Sequence, residues 1–261
     1  LKILNIKNRA ADSQSATIIG YVCGFLMYLI LLLYGSQVMM GVTEEKTNRI
    51  AEVVVSSVKP FQLMVGKIIG IGMVALTQFL IWIACIFIIY NAGRFGGQQG
   101  GMLTNTVESI QRVFTSVNIL LVVCCFIFYM LAGFFFYSSL YAAIGSAINE
   151  DMREAQSLSF PITMLVIFSI MLMTPAISNP SSPLAVWTSI IPFSSPIVMM
   201  ARVPFGVPNT VPIWQLALSM ALLIGGFMLT TWFAARIYRT GILMYGKKPS
   251  WKEMMKWAFR K

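Results

Sequence analysis

The sequence predicts an all-α polytopic membrane protein: five transmembrane helices, an amphipathic cytoplasmic helix and a re-entrant or interfacial outer segment. Three observations predict it. The 261 residues are 57% hydrophobic and only 11% charged, against about 25% charged in soluble domains, so a bilayer is the expected solvent. Five long uncharged stretches lie between Asp12 and Arg236. One densely charged segment, residues 41–60, separates the first stretch from the second.

The first span is placed at 17–40. Asp12 and Glu44 bracket 31 uncharged residues there, more than the ~20 needed to cross the hydrocarbon. The second is placed at 63–90, with Arg94 beyond one mouth. Lys67 sits about one turn inside the other and is expected to snorkel to the interface. A polar, glycine-rich loop occupies 91–115. The third span, 117–143, lies within 37 uncharged residues, long enough to tilt or to extend past the membrane. A charged turn through Glu150, Asp151, Arg153 and Glu154 leads to the fourth span, 158–177. The last span is 213–235.

Residues 178–210 read differently. The stretch 175–212 holds eight of the eleven prolines, yet parts of it are apolar. Closely spaced prolines deny backbone hydrogen bonds that lipid cannot replace, which disfavours a full span. Short helices dipping into the outer face fit this composition; a surface loop with apolar contacts is the alternative.

Orientation follows from Lys and Arg. With residues 41–60 in the cytoplasm, thirteen fall inside and six, Arg202 among them, fall outside. Leu1 then lies outside. With no initiator Met, this leads us to expect a chain that begins within a longer protein. Residues 1–15 are read as the trailing edge of an extracytoplasmic domain, 16–240 as the membrane domain and 241–261 as a basic amphipathic cytoplasmic tail.

The net charge of +10 sits at the ends of apolar segments, a topology signal rather than a nucleic-acid surface. There is no histidine, which removes His-ligated metals and Ser-His or Cys-His catalysis. Cys23, Cys85, Cys124 and Cys125 all lie in apolar runs and read as inert thiols. No catalytic or metal site is expected.

Residues 42–58 carry the functional signal. Ile50, Val53, Val54 and Val58 recur at helical spacing and form one apolar stripe. Glu45 precedes Arg49 by four residues, the favourable order for a helical ion pair, and Pro60 restricts Lys59 and ends the helix. A helix along the inner membrane surface results. It either offers a cytoplasmic partner a charged face or serves as an interfacial connector.

Residues 41–70, with Glu44-Glu45-Lys46-Thr47-x-Arg49, then Ser56-Ser57-x-x-Pro60, then Gly66-Lys67, resemble the permeases of ABC-2 type exporters. The resemblance is nearest to the branch of the sodium-exporter permease NatB. It implies a cytoplasmic coupling helix at 42–58, gripped by a separate ABC ATPase subunit that binds ATP and Mg. The coupling residues would be Glu44, Glu45, Lys46, Thr47, Arg49, Glu52, Ser56, Ser57 and Pro60. It also implies six spans, of which the first and most of an outer domain precede this chain, and re-entrant helices before the last span. Function as a homodimer or a paralogous heterodimer in a bacterial plasma membrane follows from the same resemblance. Gly66-Lys67 is no P-loop, because Phe61 stands at the first glycine position and Ile68 at the Ser/Thr position. ATP hydrolysis is therefore expected only in the partner.

The spans are nearly free of ionisable groups, which disfavours a proton-coupled transporter. Thr77, Gln78, Asn118, Ser138 and Ser139 are the polar candidates for a pathway. Hydrogen bonding between helices is the competing role. Gly20-x-x-x-Gly24 and Gly66-x-x-x-Gly70 both read as close-packing motifs. In the tail, Ser250 and Glu253 form a capping-box pattern. Trp251, Met254, Met255 and Ala258 cluster on one side, and Lys252, Lys256, Arg260 and Lys261 supply charge. The pattern suits anionic lipid, with the ATPase as a second possible contact. Two other classes share this hydropathy: a membrane scaffold, and a transporter or channel without ATP.

Overall fold

The computed structural model describes residues 2–48, 58–95, 118–148, 152–242 and 250–259. Every described element is helical: α1 (Lys2–Thr47), α2 (Pro60–Phe95), α3 (Ile119–Ala147), α4 (Met152–Ser178), α5 (Pro183–Ile190), α6 (Ser195–Arg202), one 3-10 turn (Val203–Phe205), α7 (Ile213–Gly241) and α8 (Trp251–Phe259). Five of them hold stretches long and apolar enough to cross a membrane: Ser13–Thr47, Pro60–Ile89, Ile119–Ala147, Ala155–Ser178 and Ile213–Gly241. The chain is an all-α, multi-pass membrane protein.

Local chemistry explains several ends. Pro60 opens α2, where its missing N–H costs nothing and its fixed φ suits a helix. The Asn118 side chain caps α3 by accepting the Leu121 N–H at 3.3 Å. Ser182 caps α5 in the same way, accepting from Ala185 at 3.2 Å. Pro161 and Pro175 both lie inside α4.

One boundary differs from the sequence reading. Residues 42–47 continue α1 instead of starting a new helix. No proline interrupts them, and Gly41 is held in place by Lys67. The 46 residues of α1 extend about 70 Å, more than twice the ~30 Å hydrocarbon core.

The C-terminal ends of α1, α3 and α7 meet at one end of the bundle. Lys46 reaches Ser146 there, and a Cβ on Gly241 would lie 2.8 Å from the Ser146 Oγ. The start of α2 joins them through Lys67, and α8 packs on α7. We call this the basic end. The short helices α5 and α6 lie at the opposite end.

Lipid tails are as apolar as leucine, so packing and hydrogen bonds hold such helices together. α3 packs most extensively, against α1 and α7. Its Tyr141 ring fills the space over Gly35, and its Gly133 lies under Pro196. All eight residues of α6 are buried, chiefly against α1, α4, α5 and α3. The approach is close because Gly20 and Gly24 of α1 have no side chains. A Cβ on Gly20 would stand 2.5 Å from the Ala201 carbonyl oxygen. The first glycine motif therefore admits a short helix, and at Gly24 also the Met173 side chain of the α4 span. The second motif has no such partner among the described residues: nothing there lies within 4 Å of a Cβ on Gly66 or Gly70.

Candidate functional site

The charged residues at the end of α1 divide into two groups. Lys46, expected as a docking contact, has no exposed surface. Its Nζ donates to the Ser146 carbonyl at 2.8 Å and lies 3.4 Å from that of Ala147. These carbonyls belong to the last turn of α3, where no further helical N–H remains to receive them. A cation there also meets the negative end of the helix dipole. Beside it, the buried Thr43 Oγ1 lies 3.0 Å from the Met39 carbonyl and 3.3 Å from that of Gly145. The approach is possible only because residue 145 is glycine, since a Cβ there would stand 2.6 Å from the Met39 oxygen.

Glu45 also turns inward, pairing with Lys67 of α2 at 2.7 Å. Lys67 donates to the Gly41 carbonyl as well. Lys67 thus ties the first turns of α2 to the last turns of α1. Its side chain is 15% exposed and that of Glu45 27%, so solvent screens the pair only in part.

Glu44 is exposed. Thr47 is exposed too, and its hydroxyl donates back to the Thr43 carbonyl at 3.0 Å. Pro60 stands at the start of α2. Arg49, Glu52, Ser56 and Ser57 lie outside the described residues. The basic end thus joins three helices through Lys46 and the Glu45–Lys67 pair, and presents Glu44 and Thr47 outward.

The five polar pathway candidates do not come together. Asn118 caps α3, and Ser138 lies twenty residues further along that helix, about 30 Å away. Thr77 is exposed and donates to Met73 within α2. Gln78 is half-buried on the same helix. Ser139 donates to Phe136 within α3 at 2.9 Å. The buried Ser138 hydroxyl has no partner among the described residues.

A second polar cluster escaped the sequence reading. Arg202 was counted as an outer surface charge; it is fully buried. Its Nε donates to the Pro180 carbonyl at 2.9 Å and one terminal nitrogen to Gln215 Oε1 at 3.1 Å. The other donates to the Ser189 hydroxyl. Burial pulls its pKa down to about 10, so it keeps its charge at neutral pH. Tyr129 donates to Ser219 at 2.9 Å, and Ser219 donates to the Ser189 carbonyl at 2.8 Å. The network joins α3, α5, α6 and α7. The signal that could have found it is a lone arginine between apolar residues in a proline-rich stretch.

In the tail, the Glu253 N–H donates to Ser250 Oγ at 3.4 Å, the Ser250 half of the expected capping box. The buried side of α8 carries Met254 and Ala258, with Trp257 half-buried, while Trp251 and Met255 are exposed. Part of the apolar stripe therefore packs on the protein. Arg236 of α7 secures it by donating to the Ala258 carbonyl at 3.2 Å.

A sequence model of the ABC-2 family transporter protein matches residues 3–236. The "Uncharacterized protein YhaP" of Bacillus subtilis (strain 168) is 30% identical over 235 residues, covering 89% of this chain and 53% of the relative. The "Uncharacterized protein MJ1024" of Methanocaldococcus jannaschii is 28% identical over 243 residues, covering 93% and 54%. The chain thus spans about half the length of the curated relatives it matches. No solved structure matches.

Proposed function

Because the chain belongs to the ABC-2 transporter family, we propose that it is membrane-spanning permease sequence of an ATP-driven exporter. In this reading the basic end faces the cytoplasm, and a separate ABC ATPase subunit, carrying ATP and Mg, grips it. Two permeases line the pathway, as a homodimer or a paralogous pair, in the plasma membrane of a prokaryote. Residues 1–15 would adjoin an outer domain. The NatB-like branch, and with it sodium as cargo, rests on the motif resemblance in residues 41–70.

The observation that carries the reading is the construction of the basic end. α1 runs unbroken from the membrane to Thr47, so a push on Glu44 and Thr47 moves the whole helix. Lys46 and the Glu45–Lys67 pair pass the same displacement to α3 and α2. An interfacial connector needs no such cross-linking. In this reading, residues that the motif groups together take different roles. Glu44, Thr47 and Arg49 are read as the docking face, with Glu52, Ser56 and Ser57 continuing it. Glu45, Lys46 and Lys67 transmit, and Pro60 starts the helix that receives the motion.

The test is co-purification of the full-length permease with its ABC ATPase subunit, in lipid nanodiscs. Glu44→Arg with Arg49→Glu should detach the ATPase. A single exposed charge contributes only about 0–1 kcal/mol, so the double reversal is needed. Full retention of the ATPase in the double variant would refute the docking role.

A further inference from the structure

At the basic end, the start of α2 and the last turns of α7 enclose a groove of about 800 Å³. Its floor is apolar, with Phe61 from α2 and Phe227 and Trp232 from α7. Its rim carries Lys59, Arg236 and Arg239, all exposed. The Arg236 guanidinium stands over the Trp232 ring, 4.1 Å from its centroid, which fixes one cation at the boundary between floor and rim. None of the three cations forms an ion pair with a described residue, whereas Lys67 nearby is matched by Glu45.

Apolar surface between two membrane-spanning helices, edged by cations with no ion-pair partner among the described residues, is complementary to one kind of molecule. We propose that this groove binds an anionic glycerophospholipid, with its acyl chains against Phe61 and Phe227 and its phosphate among Lys59, Arg236 and Arg239. Basic pockets between membrane helices recognise such headgroups through charge. Arginine suits the phosphate because its planar fork donates two hydrogen bonds at once. The positive end of the α2 dipole adds to the field at Lys59. The lipid would bridge α2 to α7, which few other contacts join. The inference concerns lipid recognition alone and does not depend on which cargo the transporter moves.

Native mass spectrometry of the full chain in neutral detergent tests it, with phosphatidylglycerol and phosphatidylcholine of identical acyl chains as probes. Phosphatidylglycerol should bind at least about tenfold tighter, since each basic residue near a headgroup contributes about fivefold in affinity. Lys59→Gln with Arg239→Gln should remove most of that preference while leaving phosphatidylcholine unchanged. Neither side chain holds another described element, so the variant keeps its fold. Arg236 is spared because it also secures α8. Equal binding of the two lipids, or an unchanged preference in the double variant, would overturn the proposal. Displacement of the lipid by free glycerol phosphate would show a soluble anion as the ligand and would overturn it as well. So would a second copy of the chain that closes the groove and excludes lipid.

Discussion

α2 and α3 both read as membrane spans, yet the fold uses them in opposite ways. Half of the most apolar stretch of α3 is buried, against 17% of that of α2. α3 is the helix around which α1, α6 and α7 assemble, and its residues combine aromatic mass with small gaps. Tyr129, Tyr137 and Tyr141 each place a ring in the bundle and a hydroxyl on a partner, while Gly133 and Gly145 admit Pro196 and the α1 backbone. α2 exposes Ile69, Met73, Val74, Leu80 and Phe87, and its Gly66 and Gly70 face open space. The difference teaches that hydropathy finds the spans but does not find their partners. In lipid the sorting is done by small residues and hydrogen bonds.

Four variants probe this difference. Gly145→Ala should be the most damaging. The new Cβ meets a backbone oxygen at 2.6 Å, which cannot rotate away, so α1 and α3 must separate. A loss of about 3 kcal/mol is expected, seen as a large drop in the thermal midpoint of the purified protein. Lys46→Met should follow, at about 2 kcal/mol, since it strips the last carbonyls of α3 of their cation. The same midpoint measures it. Lys67→Met removes a partly screened pair from α2 and should cost about 1 kcal/mol; a cost equal to that of Lys46→Met would erase the distinction between the two helices. Gly66→Ala with Gly70→Ala should be neutral or stabilising by up to about 1 kcal/mol, because alanine is the better helix former and nothing is in its way. If that pair of changes destabilises, or disperses an oligomer in light scattering, α2 is packed by another chain.

Much of the architecture was legible in the sequence. Five uncharged stretches bounded by charges gave the five spans, and proline density located the short helices α5 and α6. The side-chain partners were not legible. Gly20-x-x-x-Gly24 and Gly66-x-x-x-Gly70 are the same pattern, but among the described residues only the first meets other helices, through Met173, Ile197 and Ala201, all about 150 residues or more away in sequence. Glu44, Glu45 and Lys46 form one charged run. Three successive helical residues point about 100° apart, which leaves Glu44 outside and turns Glu45 and Lys46 toward α2 and α3. Arg202 was read by charge alone as a topology signal. Its burial depends on Pro180, Ser189 and Gln215 converging on it, and their spacing in sequence gives no hint of that.

The central claim is that Glu44 docks and Lys46 transmits. It is tested most directly by comparing the Glu44→Arg, Arg49→Glu double variant with Lys46→Met in the permease reconstituted with its ATPase, measuring both ATPase retention and ATP turnover. The account predicts that Glu44→Arg, combined with Arg49→Glu, loses the ATPase. It predicts that Lys46→Met keeps the ATPase bound but makes turnover insensitive to the permease. If Lys46→Met releases the ATPase as the reversed pair does, or if both variants turn over ATP as the unaltered complex does, the division between docking and transmission is wrong.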